Sequence, residues 1–318
     1  MNLTDILLAR KRIAPYIRRT PLIRSTWLSD LARADVFLKV ESLQVSHSFK
    51  SRGAFNAVIA RLERGSSSNE RLVTASAGNH GRGLAAAAET FGLPLTVFTP
   101  VDAPQSKLAA IRRHGATLRA EAPDYDEAER QAKAYAHESG AAFISPYNDA
   151  DVVAGAGTVA VEVFDELPAA DTLIVPIGGG GLISGMALAA NAIAPRCRTI
   201  GVEVEASCAF QTSLRAGRLV EIVPGPTLAD GLGGNPDPGT LTFDFIQRLV
   251  ERIVTVSEPD LAAAVVGLIE SEHVIAEGAG AAATAAVVGT RIELEGKRVV
   301  AVVSGGNIDR TRLAALLA

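Results

Sequence analysis

Between Thr172 and Pro195 the chain carries no charged residue, yet four consecutive glycines, Gly178 to Gly181, stand within that run. An apolar stretch of this length can cross a bilayer. Glycine, however, costs about 1 kcal/mol relative to alanine in a helix interior, and four in a row break a continuous helix. The same letters read as a strand (LIVPI), a tight turn and a helix (LISGMALAANAIA) in a soluble core. A strand apolar on both faces belongs to a parallel sheet covered by helices, so this segment points to an α/β fold and away from a membrane span.

The rest of the chain repeats the pattern. Short apolar runs recur as VFLKV (36–40), LVTAS (72–76), LTVF (95–98), TIGVEV (199–204) and VVAVVS (299–304). Helix-length patterns fall between them: PQSKLAAIRRH (104–114), YDEAERQAKAYAHE (125–138) and EPDLAAAVVGLIE (258–270), the last opening with acids that favour a helix N-terminus. Most strands are therefore expected to pair in parallel, and GSSSNE (65–70) to be a surface loop. With 318 residues and 48% hydrophobic content the chain can fill about two domains. Its net charge of −4 comes from 31 basic and 35 acidic residues spread along the chain, with no basic stripe for nucleic acid. A small soluble partner is expected, and no membrane. Cys197 and Cys208 lack metal-ligand spacing, and Ile6 to Ala9 is too short for a signal sequence, which together point to the cytoplasm.

Chemistry is concentrated where strands run into helices. Lys50, one of only six lysines, sits in SHSFKSRGAF at an expected helix start beside Phe49. Desolvation there lowers an amine pKa and makes it a nucleophile toward a carbonyl, whereas a surface lysine with its stem laid on the protein is the plainer reading. In TASAGNHGRG (74–83) a strand turns into a helix near Asn79. Free N–H groups there, with Ser76, Asn79 and His80, can hold a carboxylate, unless Ser76 and Asn79 are ordinary caps and His80 a packed helix residue. PIGGGGLISG (176–185) repeats the geometry with phosphate as its natural ligand. It lacks the Lys-Ser/Thr pair of a Walker motif, and the third glycine of the dinucleotide fingerprint falls on Ile183 or Ser184. Glu203 nevertheless lies at about the ribose-recognition spacing, which leaves a nicotinamide reading open. VVAVVSGGNIDR ends a strand in Ser304, Gly305, Gly306 and Asn307, either lining a ligand crevice or making a plain turn.

Taken in order, ESLQVSHSFKSRGA, TASAGNHG, VVAGAGT, VPIGGGGL, GVEVE, VIAEGAGA and VVSGGN resemble the fold-type II (tryptophan synthase beta-like) pyridoxal-phosphate enzymes, in the serine/threonine dehydratase and serine racemase branch. The resemblance covers almost the whole chain, and His47 ahead of Ser-Phe-Lys is most similar to biosynthetic threonine dehydratases. It implies two domains, each a mostly parallel open sheet flanked by helices: residues 1–63 with 147–318 as the larger cofactor-binding domain, and 64–146 as the smaller one carrying the substrate loop. It implies that Lys50 forms the internal aldimine with pyridoxal 5'-phosphate, with Phe49 beside the ring. Asn79 would bond the ring hydroxyl, Ser304 would face the pyridine nitrogen, and Gly178, Gly179, Gly180, Gly181 and Leu182 would hold the phosphate. The loop Ser76, Ala77, Gly78, Asn79 and His80 would receive the substrate, and a homodimer is expected. The chain stops thirteen residues beyond Gly305, so no isoleucine-responsive regulatory domain is expected.

Two departures qualify the match. Relatives usually read G-Q-G-T where this chain has Gly155, Ala156, Gly157 and Thr158. Racemase-like members hold a divalent ion with two acids after the GVE strand; Glu203 matches the first and Ala209 replaces the second, so no divalent metal is expected, and a monovalent ion is left open. The implied reaction is β-elimination from an L-β-hydroxy amino acid of threonine or serine type, giving a 2-keto acid and ammonia. Racemases place a proton-bearing serine where this chain has Ala77, which sets elimination ahead of racemisation. Hydroxyaspartate dehydration, β-replacement, a non-catalytic binding protein and the nicotinamide enzyme remain as alternatives.

Overall fold

The computed structural model describes residues 1–67 and 69–318. Gly65 and the described residues up to Glu70 form no helix or strand, and Ser68 of the expected loop lies outside the described residues. Among the described residues, ten strands form two sheets. The larger contains β1 (Leu22–Arg24), β2 (Asp35–Val40), β7 (Thr172–Pro176), β8 (Arg198–Val204), β9 (Arg252–Val256) and β10 (Arg298–Val303) in the order β1-β2-β10-β7-β8-β9. The smaller contains β3 (Leu72–Ala75), β4 (Leu95–Pro100), β5 (Thr117–Ala122) and β6 (Ala142–Phe143) in the order β5-β4-β3-β6. All pairs are parallel except β1 with β2.

Alternation along the buried strands builds a core on each face of the large sheet. Val299, Ala301 and Val303 of β10 join Ile174 of β7 on one side, while Val300 and Val302 join Leu173 and Val175 on the other. The first face is covered by the helix Gly278–Val288, in which every residue but the last is buried. Its small side chains let the helix sit close to the strands. The second face is covered by the helices Ala150–Glu166 and Gly181–Ile193. The segment that raised the membrane question thus resolves into β7 and a thirteen-residue helix, and no helix among the described residues is long and apolar enough to cross a membrane.

The helix Lys50–Glu63 bridges the sheets. Its Ala54, Phe55, Ala57 and Val58 enter the core beneath the small sheet, with Leu72, Leu84 and Val97. Its first turn is tied to the large sheet through a buried ionic cluster. Arg52, fully buried, donates from Nε and Nη2 to the two Glu41 oxygens at 2.8 Å each and from Nη1 and Nη2 to Glu162 at 2.7 and 2.8 Å. Lys39, also fully buried, donates to Glu162 at 2.6 Å and to the Thr20 carbonyl at 2.7 Å. Two cations and two anions close the set, as burial of charge requires.

Candidate active site

Three helix N-termini meet between the sheets, each fed by a short connection. Lys50 begins its helix directly after the Phe49 N-cap, and the Phe49 N–H donates to the Ser304 carbonyl at 3.0 Å. An isolated bridge joins Ser48 to Gly305. Lys50 is thereby carried to the end of β10. Its Nζ donates to the Pro146 carbonyl at 2.8 Å and lies 5.1 Å from the Phe49 ring centre. Among the described residues no carboxylate compensates it, and burial lowers its pKa from the usual 10.5 to about 8.

Tyr147, next to Pro146, forms the back wall of the glycine turn. A Cβ on Gly179 would come within 2.2 Å of the Tyr147 ring, so only glycine allows this approach. Gly180 caps the following helix at φ +84°, a left-handed conformation that disfavours other residues. Thr242 Oγ1 donates to the Gly179 carbonyl at 2.9 Å and pins the turn, and Gly181 and Leu182 open the helix. The first N–H groups of such a helix have no intrahelical acceptor and suit a phosphate.

The second N-terminus belongs to the helix Asn79–Thr90, which follows β3 through Ser76, Ala77 and Gly78. Ser76 Oγ accepts from the Gly78 N–H at 3.2 Å. The His80 ring is turned inward: Nε2 meets the Ile144 carbonyl at 3.2 Å, while Nδ1 is buried without a partner among the described residues. Burial, with the Lys50 charge nearby, pushes its pKa down to about 3, so the ring is neutral. Its backbone N–H, in the first turn, is what His80 offers an anion. Asn79 Nδ2 donates to Glu277 Oε1 at 2.5 Å.

Ser304 is buried, its hydroxyl 3.4 Å from the Ala279 carbonyl. Beside it lies Glu277, to which sequence reasoning assigned no role. Its carboxyl is pushed by burial from 4.5 to about 7, against the Asn79 hydrogen bond. It lines a cavity of about 410 Å³ together with Lys107, Asp230, Asn307 and Arg312. The available signal was its isolation: from His273 to Thr290 it is the one acidic or basic side chain other than histidine. Pro146 and Tyr147 had no such signal, since a backbone carbonyl and a wall of a turn leave no mark in a motif. Glu203 is occupied otherwise. Both its oxygens accept backbone N–H groups, from Phe210 and Gln211 at 2.8 Å each, capping the helix Ala209–Ala216.

The arrangement fits a phosphorylated aldehyde cofactor. A desolvated amine stands against an aromatic ring, a glycine turn at a helix N-terminus lies across Pro146 and Tyr147 from it, and Ser48 Oγ, beside Gly305, is buried without a partner among the described residues. In that fit Lys50 would hold the aldehyde carbon, and the turn Gly178–Leu182 would hold the phosphate.

Comparison with known proteins agrees. The family model described as pyridoxal-phosphate dependent enzyme matches residues 13–305. An L-threonine ammonia-lyase of Thermotoga maritima is 42% identical over 312 residues, covering 97% of this chain and 76% of that protein. The structure is similar to that of maize serine racemase, with a TM-score of 0.93, 33% identity and coverage of 99% of this chain and 96% of that one. It is similar also to a threonine deaminase from tomato, Solanum lycopersicum, in its processed form, with a TM-score of 0.91, 31% identity and coverage of 99% and 91%. With a lysine, a glycine cradle and a match that spans both sheets, the chain belongs to the pyridoxal-phosphate-dependent enzymes of fold type II.

Proposed function

We propose that the protein is a dehydratase that converts an L-β-hydroxy amino acid of threonine or serine type to a 2-keto acid and ammonia. The observation that carries this reading is the desolvated Lys50 amine as base, with Ala77, which has no proton to give, in the loop ahead of the helix Asn79–Thr90. The likeness to an L-threonine ammonia-lyase and a threonine deaminase supports it.

Bound pyridoxal phosphate supplies an electron sink for the carbanion at Cα. The chain supplies position and proton transfer. First-turn N–H groups at Asn79 and His80 receive the substrate carboxylate, assisted by the helix dipole. Lys50, near neutrality because it is desolvated, takes the Cα proton as general base. The Ser304 hydroxyl is neutral and does not hold a ring nitrogen protonated as a carboxylate would. That favours prompt elimination: the pair left by the Cα–H bond forms the Cα=Cβ double bond, and the β-hydroxyl departs with the C–O pair and is protonated to water. The released enamine takes up water to give the keto acid and ammonia.

Residues 64–146 form the mobile lobe in this reading, and 1–63 with 147–318 the other. Lys107 to Asp230 at 2.6 Å, Lys133 to Asp237 at 3.4 Å and Ser106 to Asp309 at 3.1 Å span the mouth between them. Exposed pairs of this kind are worth about 0–1 kcal/mol each, weak enough to open for substrate. A homodimer in the cytoplasm completes the reading, with two free cysteines consistent with a reducing compartment.

Racemisation is the second reading, favoured by the likeness to maize serine racemase. Incubating the holoenzyme with L-serine or L-threonine in deuterated water separates the two. Keto acid should form at least tenfold faster than the D-isomer. D-serine appearing as fast as pyruvate overturns the dehydratase assignment.

A further inference from the structure

Four side chains beside the site form a directed hydrogen-bond relay that the reaction described above does not use. Arg82 Nη1 donates to Asn307 Oδ1 at 2.5 Å. Asn307 Nδ2 donates to the Ser46 carbonyl at 3.0 Å and to Asn79 Oδ1 at 2.6 Å. Asn79 Nδ2 donates to Glu277 Oε1 at 2.5 Å. An amide side chain can present either end to a neighbour, so its direction is set by partners that have no choice. Arginine only donates, and a backbone carbonyl only accepts. Arg82 and Ser46 together therefore fix Asn307 with its nitrogen toward Asn79. Asn79 must then commit its oxygen to Asn307 and its nitrogen to the opposite side.

The opposite side is where Glu277 waits. A Cβ at Gly305 would stand 2.3 Å from Glu277 Oε1 and 3.2 Å from Asn79 Nδ2, so glycine leaves the room in which the two groups meet. The Glu277 N–H also donates to the Gly305 carbonyl at 3.1 Å, holding the acid at the end of β10. Glu277 takes one hydrogen of the Asn79 nitrogen. The other is left over.

We propose that Arg82, Asn307 and Glu277 are positioning residues that lock Asn79 as a hydrogen-bond donor toward the phenolic oxygen of the cofactor, and so hold that oxygen ionised. The inference rests on the reading that Asn79 faces that oxygen. An N–H donor stabilises a phenolate more than a phenol, whose oxygen is the weaker acceptor and whose O–H needs an acceptor of its own. Reversing Asn79 would present its carbonyl instead and stabilise the neutral phenol. The ionised form of a lysine-linked pyridoxal absorbs at longer wavelength than the neutral form, so the ratio of the two bands reports the direction of the relay without any turnover.

The test compares this ratio, at one pH, in holoenzyme variants. Asn307→Asp keeps the shape but replaces the donor to Asn79 by an acceptor, and should lower the ratio of long- to short-wavelength absorbance at least threefold. Arg82→Met should lower it similarly, and Arg82→Lys, still a pure donor, should return it to within twofold of the parent. Should Arg82→Met fail to keep cofactor, the isosteric Asn307→Asp carries the comparison. An unchanged ratio in Asn307→Asp, with a fall in Asn79→Ala, overturns the relay while leaving Asn79 at the ring oxygen. An unchanged ratio in Asn79→Ala overturns the placement of Asn79 itself, and the relay with it.

Discussion

Replacing Glu162 by glutamine takes one charge out of the closed cluster beneath Lys50. Glutamine keeps the size and still accepts one hydrogen bond from Arg52, but of the two fully buried cations Arg52 keeps Glu41 as its ion-pair partner while Lys39 loses the one anion it touches. A buried ion stripped of its partner costs roughly 3–5 kcal/mol. With an unfolding entropy of about 2.1 cal/mol/K per residue, this lowers the melting midpoint of a 318-residue chain by roughly 4–8 °C. Adding Lys39→Met makes the cluster neutral again. It forfeits the hydrogen bond to the Thr20 carbonyl, at about 1–3 kcal/mol, yet the double variant should still regain about 2 kcal/mol over the single one. Calorimetry of the cofactor-free proteins at neutral pH reads the order of midpoints. Burial raises the Glu162 pKa, but hydrogen bonds and charge from Arg52 and Lys39 outweigh it and hold the carboxyl below its usual 4.5. A depressed pKa contributes stability above the unfolded value and loses it as pH falls through the folded one, so at neutral pH the full effect is present. A double variant that melts at or below Glu162→Gln would refute the reasoning.

Two further outcomes follow from the site. Covalent loading of the cofactor-free protein with pyridoxal phosphate should accelerate as pH rises, with a midpoint at about 8, and then level off, because the Lys50 amine attacks only when deprotonated and burial has lowered its pKa to about 8. A midpoint near 10.5 would remove the burial effect, and Lys50→Ala should show no lysine-linked band at any pH. Gly179→Ala forces a methyl against the Tyr147 ring, whose hydroxyl accepts the Asp237 N–H at 2.9 Å. The overpacking cost of about 1–3 kcal/mol should weaken cofactor affinity about five- to 150-fold by equilibrium dialysis, and an unchanged affinity would exclude Tyr147 as the wall.

What could be read in advance divides by position in the sheets. The six apolar runs from VFLKV to VVAVVS lie at β2, β3, β4, β7, β8 and β10, where burial on both faces writes an unbroken hydrophobic signature. β1, β5, β6 and β9 were not anticipated, and all four are edge strands. TLRAEA of β5 alternates exposed and partly covered residues until Ala122, and β6 has only two residues. Helices were legible within a few residues, as with Gln105–Arg112 and Glu258–Glu272, because acids, proline and apolar spacing mark them locally. At the site, Lys50 and the glycine turn are visible in their motifs. Glu277 and Asn307 reach Asn79 across 198 and 228 residues, and nothing local to either announces that meeting.

The order of strands also sets when this enzyme can exist during its own synthesis. β10 pairs with β2 on one side and β7 on the other, although among the ten described strands it follows all the others in the chain. At about 5–20 residues per second, β2 leaves the ribosome roughly 13–50 s before β10 does. Through that interval the β1-β2 pair and the β7-β8-β9 block each present a bare strand edge, the kind that pairs with other chains. Ser304 and Gly305, which anchor Phe49 and Ser48, arrive in the same final stretch. The newborn chain is therefore most prone to aggregate while it has no cofactor site, and insertion of one strand closes both edges and creates the site together.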